Sequence, residues 1–203
     1  INSLQALFPT ISNQHLASAN NQNGWCLVSN DNSHRALLIL TEKGKTNLGA
    51  LFEQTISYHD DAFELLEIQA GIGNVQQATA NQFVPQMMNL QALNAIDFDK
   101  GCYMGQETIA RTKFLGKNKR AAYILHAIKP VSDCPQAGDS LEKSVGENWR
   151  TGGTVLRAVK TDAETCLIAV LANDTQVDDV LRLKNHPEAL FNVVPLPYSI
   201  DDQ

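Results

Sequence analysis

The C-terminal part of the chain alternates short apolar runs with turn formers, and this grammar restricts its fold more than any other feature of the sequence. Ala121 to Ile128, Gly153 to Val159 and Cys166 to Leu171 have strand length, while Pro135, Gly138-Asp139, Gly152-Gly153 and Asn173-Asp174 stand as turn signals. Runs this short, punctuated in this way, predict a small antiparallel barrel or sandwich.

The beginning of the chain is built differently. Trp25 to Ser29 and Arg35 to Leu40 predict two strands joined by a hairpin through Asn30-Asp31-Asn32-Ser33. Thr41 is a suitable N-cap for a helix over Glu42 to Phe52, with Leu48, Leu51 and Phe52 at helical spacing. A third short strand near Thr55 to Tyr58 and a helix from Asp60 to about Ala70 complete an α/β part. Two Asn/Gln clusters, Ser18 to Asn23 and Asn74 to Gln82, read as loops. The expected class is α+β, divided into residues 1–70, 71–117 and 118–203. The last boundary lies near Gly116-Lys117-Asn118, where a helix from about Met104 ends on a glycine.

With 203 residues the chain can bury a core without disulfide or metal staples. Its 43% hydrophobic and 19% charged residues exclude the disordered, collagenous and coiled-coil classes. The longest apolar runs, Ala36 to Leu40 and Ile168 to Ala172, fall far short of the roughly 18 residues of a membrane span, so no membrane partner is expected. The first residues, Ile1-Asn2-Ser3-Leu4-Gln5, lack the pattern of a secretory signal, and the missing initiator Met implies that residues were removed upstream. Cys26, Cys102, Cys134 and Cys166 show no C-x-x-C spacing, which favours a reducing cytoplasm and gives no metal site by spacing.

A net charge of -6 argues against general attraction to nucleic acid. One basic strip interrupts it: Arg111, Lys113, Lys117, Lys119, Arg120 and Lys129 occur with no acidic residue between Glu107 and Asp133. Only Phe114 and Tyr123 interleave the strip, so direct nucleic-acid binding by base stacking is not expected.

Generic catalytic motifs fail. Gly71-Ile72-Gly73 begins like a dinucleotide fingerprint, but Gln76 occupies the third glycine position. His15, His34, His59, His126 and His186 stand in unrelated contexts, each read as a surface or core residue rather than a base or ligand. Lys100-Gly101-Cys102-Tyr103-Met104-Gly105-Gln106-Glu107 is more informative. A cysteine flanked by two glycines, preceded by a lysine and placed at a helix start, has the setting of a reactive thiolate; the same glycines can equally shape a turn around a packed cysteine. Cys26 and Cys166 lie in apolar runs and are expected to be buried and inert, and Cys134 is a turn residue beside Pro135. Glu107 and Arg111, four apart on the expected helix, form either an ordinary ion pair or a carboxylate and a cation available to an amino-pyrimidine-bearing, acidic ligand.

Taken with Phe83-Val84-Pro85-Gln86, Asn89-Leu90, Arg111, Gly116 and Lys119-Arg120, this octapeptide resembles the YgfZ-type folate-binding proteins. These are relatives of the glycine cleavage system T protein, an aminomethyltransferase. The resemblance is strongest over Glu67 to Arg120 and extends more weakly toward Pro197-Tyr198. It implies a T-protein-like architecture with a folate-binding part, a ferredoxin-like α/β part and a C-terminal β-barrel. It also implies a tetrahydrofolate-binding accessory factor for iron–sulfur proteins and tRNA-modifying enzymes, acting through Cys102. Lys100, Tyr103, Gln106, Glu107 and Arg111 are the residues it assigns to the folate.

Two departures accompany the resemblance. The family begins with a further segment that contributes to the folate site, so weak folate binding is expected of the present residues. The family's R-x-x-x-G-I-P element stands here as Glu67-Ile68-Gln69-Ala70-Gly71-Ile72-Gly73, with Glu for Arg and Gly for Pro. Two other functions remain open: a folate-dependent one-carbon transferase like the T protein, and a ligand-free interaction domain using the basic strip.

Overall fold

The computed structural model describes residues 2–14, 16–29, 35–51, 56, 58–114 and 118–200. It forms two compact units, residues 1–57 and 58–203. The class is α+β, as the sequence predicts.

In the first unit a short helix, α1 (Asn2–Gln5), precedes strands β1 (Ser18–Asn21), β2 (Gly24–Ser29) and β3 (Arg35–Leu40), followed by helix α2 (Glu42–Leu51). The strands form an antiparallel sheet in the order β1-β2-β3. Leu7, Phe8, Ile11, Ala19, Cys26 and Val28 make its core, with Leu38, Leu40 and Leu48 packed against them. Thr41 caps α2 as predicted, its Oγ1 accepting from the Gly44 N–H at 3.1 Å.

The loop expected over Ser18 to Asn23 is a correction, because its first four residues are β1. Asparagine disfavours strands, but pairing with β2 and hydrogen bonding outweigh that preference here. Asn21 and Asn23 both donate from Nδ2 to the Leu7 carbonyl, at 2.6 and 2.8 Å. The hairpin turn Asn30 to Ser33 lies outside the described residues, as do Phe52, Thr55 and Ser57 of the expected helix end and third strand.

The second unit is a closed antiparallel barrel carrying helices and turns on its outer wall. Its strands are β4 (Arg120–Ala127), β5 (Ser140–Val145), β6 (Asn148–Lys160), β7 (Thr165–Ala172), β8 (Val180–Leu183) and β9 (Leu190–Val194). They run around the barrel in the order β4-β7-β6-β5-β8-β9, and β9 closes onto β4. Alternation assigns the two faces. Tyr123, Leu125, Leu167, Ala169 and Leu171 fill the interior with Leu141, Leu181 and Phe191. Ala122, Ile124, Ile168 and Val170 point outward and are covered by Ile68, Met88, Leu65 and Leu90. Because β7 is buried on both faces, it appears in the sequence as an unbroken apolar run.

Gly152-Gly153 is not the turn predicted from its glycines. It lies within β6, where the strand passes from pairing with β5 to pairing with β7. A Cβ at Gly153 would run into the Val170 carbonyl oxygen, so glycine serves a close strand approach. Helix α3 (Asp60–Gln69), grouped by sequence with residues 1–70, packs on β6 and β7 and belongs to the second unit. Among the described residues no helix is long and apolar enough to cross a membrane.

Candidate functional site

Residues between α3 and β4 are fixed to the barrel by three side chains that leave the cysteine motif on the outside. The first is Asn89. Pro85 opens a 3-10 turn, Pro85–Met88, with the constrained φ that suits a first helical position, and Asn89 ends it in the left-handed conformation at φ 58°. Fully buried, Asn89 donates from Nδ2 to the Ala122 carbonyl at 2.7 Å and accepts from the Ala122 N–H at 3.1 Å. On this edge β4 pairs with β9 only from Ile124 to Ala127, because β9 stops at Val194 before Pro195. The amide of Asn89 therefore stands where the next rung of the ladder would be.

Tyr198 extends this bond network. Its hydroxyl accepts from Asn89 Nδ2 at 3.3 Å and donates to the Gly71 carbonyl at 2.7 Å. Burial pushes the Tyr198 phenol above its ordinary pKa, and the bond from Asn89 pulls it back in part. Gly71 has φ +71°, and a Cβ there would stand 2.6 Å from the tyrosine ring.

The third is Arg157, only 3% exposed. A bulge between Val155 and Arg157 turns it toward α3. Nη2 and Nε donate to Glu64 Oε2 at 2.6 and 3.0 Å, Nη1 donates to the Ile72 carbonyl at 2.9 Å, and Glu67 lies 3.6 Å from Nη1. Glu67, which stands where the family pattern has an arginine, is here a partner of a buried guanidinium supplied from β6.

The cysteine motif follows this anchored layer. Asp97 Oδ1 accepts from the N–H groups of Asp99 and Lys100 at 2.9 and 3.2 Å, which starts the loop. Lys100 Nζ sits over the Tyr103 ring, 4.6 Å from its centroid. The Tyr103 N–H donates to Gln106 Oε1 at 3.1 Å, and the Gln106 N–H donates back to the Tyr103 carbonyl at 3.3 Å. Lys100, Tyr103 and Gln106 are thus brought together, with Cys102 exposed between them.

Helix α4 spans Gln106–Phe114 instead of starting near Met104. Gly105, at φ +91°, makes a turn first, so the helix begins four residues beyond Cys102. Glu107 and Arg111 are exposed on α4, the acid in its first turn and the base in its last, as the helix dipole favours. The far end of α4 is held by Lys113, whose Nζ lies 3.8 Å from the Phe98 ring centroid. Gln86 Nε2 donates to the Ile109 carbonyl of α4 at 2.7 Å, while its buried Oε1 has no partner among the described residues.

The other cysteines differ in setting. Cys26 and Cys166 are buried, as predicted, and Cys134 is partly buried. Burial pushes all three thiols up, joined at Cys166 by the neighbouring Glu164 carboxylate. A cavity lined by Pro130, Cys134, Asp139, Leu183, His186 and Glu188 contains none of the motif residues.

Sequence comparison places this geometry in a class. Residues 118–186 match the family described as YgfZ, beta-barrel domain, so the six-stranded barrel is a YgfZ barrel. A protein of Aliivibrio fischeri (strain ATCC 700601 / ES114) described as "tRNA-modifying protein YgfZ" is 40% identical over 168 residues, 82% of this chain and 51% of the relative. One of the same description from Pectobacterium carotovorum subsp. carotovorum (strain PC1) is 44% identical over 172 residues, 84% of this chain and 51% of the relative. A third, from Photobacterium profundum, is 44% identical over 142 residues, 70% of this chain and 43% of the relative. The chain is similar to the YgfZ-type proteins over most of its own length and spans about half the length of these curated relatives.

Neither Asn89 nor Tyr198 is assigned its anchoring role by sequence reasoning, although both lie in segments that carry the resemblance. A buried asparagine at φ 58° followed by a strand missing its edge partner is a signal only once the barrel register is known. Arg157 gives no local signal at all, since it lies in an otherwise ordinary apolar strand.

Proposed function

We propose that this chain acts in tRNA modification as part of a YgfZ-type accessory factor that binds a reduced folate and supports iron–sulfur enzymes through Cys102. The observation that carries the proposal is the exposure of Cys102, within an intact K-G-C-Y-x-G-Q-E motif, while Cys26 and Cys166 are buried. An accessible thiol can exchange with, or deliver to, a partner protein, whereas a buried one cannot. The α+β class and the barrel are in keeping with a T-protein-like architecture.

The donor chemistry around the motif fits a folate. Glu107 can accept two N–H bonds from an amino-pyrimidine edge, Tyr103 offers a ring face, and Lys100 and Arg111 suit the carboxylates of a glutamate tail. Gln86 Oε1, buried next to α4 without a partner among the described residues, is an acceptor available to a donor from such a ligand. Gln106 serves the loop itself, because its Oε1 is taken by the Tyr103 N–H. When bound, the folate supplies one-carbon or redox chemistry; the chain's contribution is to hold its polar edges and to present a thiol beside them. Lys100, Glu107 and Arg111 are exposed, so a ligand held by these side chains alone stays open to water.

The test is Cys102→Ser in the complete protein, introduced into cells lacking the native gene product. Melting temperature should be nearly unchanged, since Cys102 is exposed. Iron–sulfur enzyme activity and tRNA modification should not be restored. Full restoration would refute the role of Cys102 and favour a folate-dependent transferase, whose chemistry needs no thiol. In parallel, mapping of alkylated peptides from the folded chain should show Cys102 modified first; earlier labelling of Cys26 or Cys166 would count against the proposal.

A further inference from the structure

Three side chains that the sequence separates meet at the end of the barrel's outer wall. In the β4–β7 register His126 lies opposite Cys166, and both extend the outward row formed by Ile124 and Ile168. Glu164 sits two residues before Cys166, in the turn joining β6 to β7. That turn is fixed by Thr161, whose N–H donates to the Glu164 carbonyl at 2.8 Å and whose Oγ1 accepts from the Glu164 N–H at 3.1 Å. Cys166 Sγ donates to Glu164 Oε2 at 3.0 Å, and His126 Nδ1 lies 3.6 Å from the same oxygen. One donor atom from each residue lies within 4.8 Å of the other two.

We propose that His126, Glu164 and Cys166 form a three-ligand site for a zinc-class divalent cation, with water in the fourth position. Bonds of about 2.0–2.3 Å in a tetrahedron place neighbouring ligand atoms roughly 3.3–3.8 Å apart. The separations here are close to that spacing and need only side-chain rotation to reach it. One sulfur, one imidazole nitrogen and one carboxylate oxygen make a donor set suited to zinc or cobalt and not to magnesium or calcium. Charge also balances: thiolate and carboxylate carry two negative charges, the imidazole is neutral, and the cation is divalent. Binding replaces the Cys166 proton now shared with Glu164 by a metal–sulfur bond, and that proton leaves to water.

Burial distinguishes this trio from a surface cluster. Cys166 is fully buried against Val159 and Ile168, so the thiol is held in one direction. His126 and Glu164 are 36% and 35% exposed at their side chains, which leaves an entry path and room for a water ligand. The site lies in the second unit, apart in sequence from the Cys102 motif, and does not depend on the folate reading.

The test uses the purified chain, stripped with a chelator and titrated with cobalt(II), then with zinc(II) in competition with a chromophoric chelator. The expected result is one equivalent of cobalt bound with a thiolate-to-metal charge-transfer band, displaced by zinc, with about one proton released. Cys166→Ser should abolish the band and Cys102→Ser should leave it intact. His126→Gln and Glu164→Gln, changes at half-exposed positions that spare the core, should each weaken zinc binding by roughly tenfold or more, equivalent to about 1.4 kcal/mol. Absence of stoichiometric binding, a band that follows Cys102, or unchanged affinity in both His126→Gln and Glu164→Gln would overturn the proposal.

Discussion

Removing the Asn89 side chain tests whether one amide stands in for a missing rung of the barrel. In Asn89→Gly the left-handed backbone is kept without strain, so the measured loss reports the buried amide together with the extra chain entropy of glycine, about 0.5–1 kcal/mol. The Ala122 N–H and C=O, in a residue 1% exposed, lose their partner together. Each orphaned buried backbone group costs about 1–3 kcal/mol, which gives roughly 2–6 kcal/mol for the two. At about 2–4 °C per kcal/mol for a chain of this size, the barrel's melting temperature should fall by roughly 4–24 °C. Asn89→Ala should be worse by about 1 kcal/mol, because alanine adds left-handed strain. Asn89→Asp keeps the acceptor but turns a carboxylate toward the Ala122 carbonyl, and should not rescue. The assay is urea and thermal unfolding with amide exchange at Ala122 as the local probe. A loss below about 0.5 kcal/mol in Asn89→Gly, with Ala122 exchange unchanged, would refute the reasoning, since it would mean that water satisfies β4 there.

Arg157→Met should destabilise the second unit by roughly 2–4 kcal/mol in urea unfolding, less than for a fully buried pair because Glu64 is 37% exposed. Adding Glu67→Gln should recover part of that loss, and no recovery would show that Glu67 does not feel Arg157. Stability should also fall on the alkaline side. Burial holds the Tyr198 phenol above its ordinary pKa of 10.0, so the unfolded chain loses this proton first; the contribution is complete below pH 10 and is lost as pH rises toward the folded value. Tyr198→Phe should flatten that alkaline slope while costing about 1 kcal/mol at neutral pH through the lost bond to Gly71; an unchanged slope would reject the assignment.

The barrel is legible in the sequence where strands are buried on both faces. β4 and β7 are expected to within a residue or two at each end, because double burial demands continuous apolar sequence. β5 and β8 carry Glu142 and Arg182 on their outer face, where Arg182 pairs with Glu142 at 2.8 Å, and Lys143 interrupts the row of Leu141 on the other face, so no apolar run announces them. Glycine misleads at β6, where a signal for chain reversal marks close strand contact instead. At the cysteine motif the residues are found by their resemblance, and the structure adds which of them face the loop and which face water. The trio on the outer wall is invisible for another reason: His126 and Cys166 meet through strand register, which neither local sequence expresses.

The double burial of β7 has a consequence for the chain before it folds. Thr165 to Ala172 contains no charge and no proline, and β-branched and aliphatic residues dominate it. Unfolded, such a segment is a template for self-association. The sequence surrounds it with Lys160, Asp162 and Glu164 on one side and Asp174 on the other, charges that oppose intermolecular stacking. Its first partner is also near: the turn after Lys160 returns the chain directly onto β6, so a local hairpin can cover one edge of β7 before the distant β4 arrives to cover the other. Slow release from synthesis, or mutation of that turn, should therefore be felt as aggregation before it is felt as lost activity.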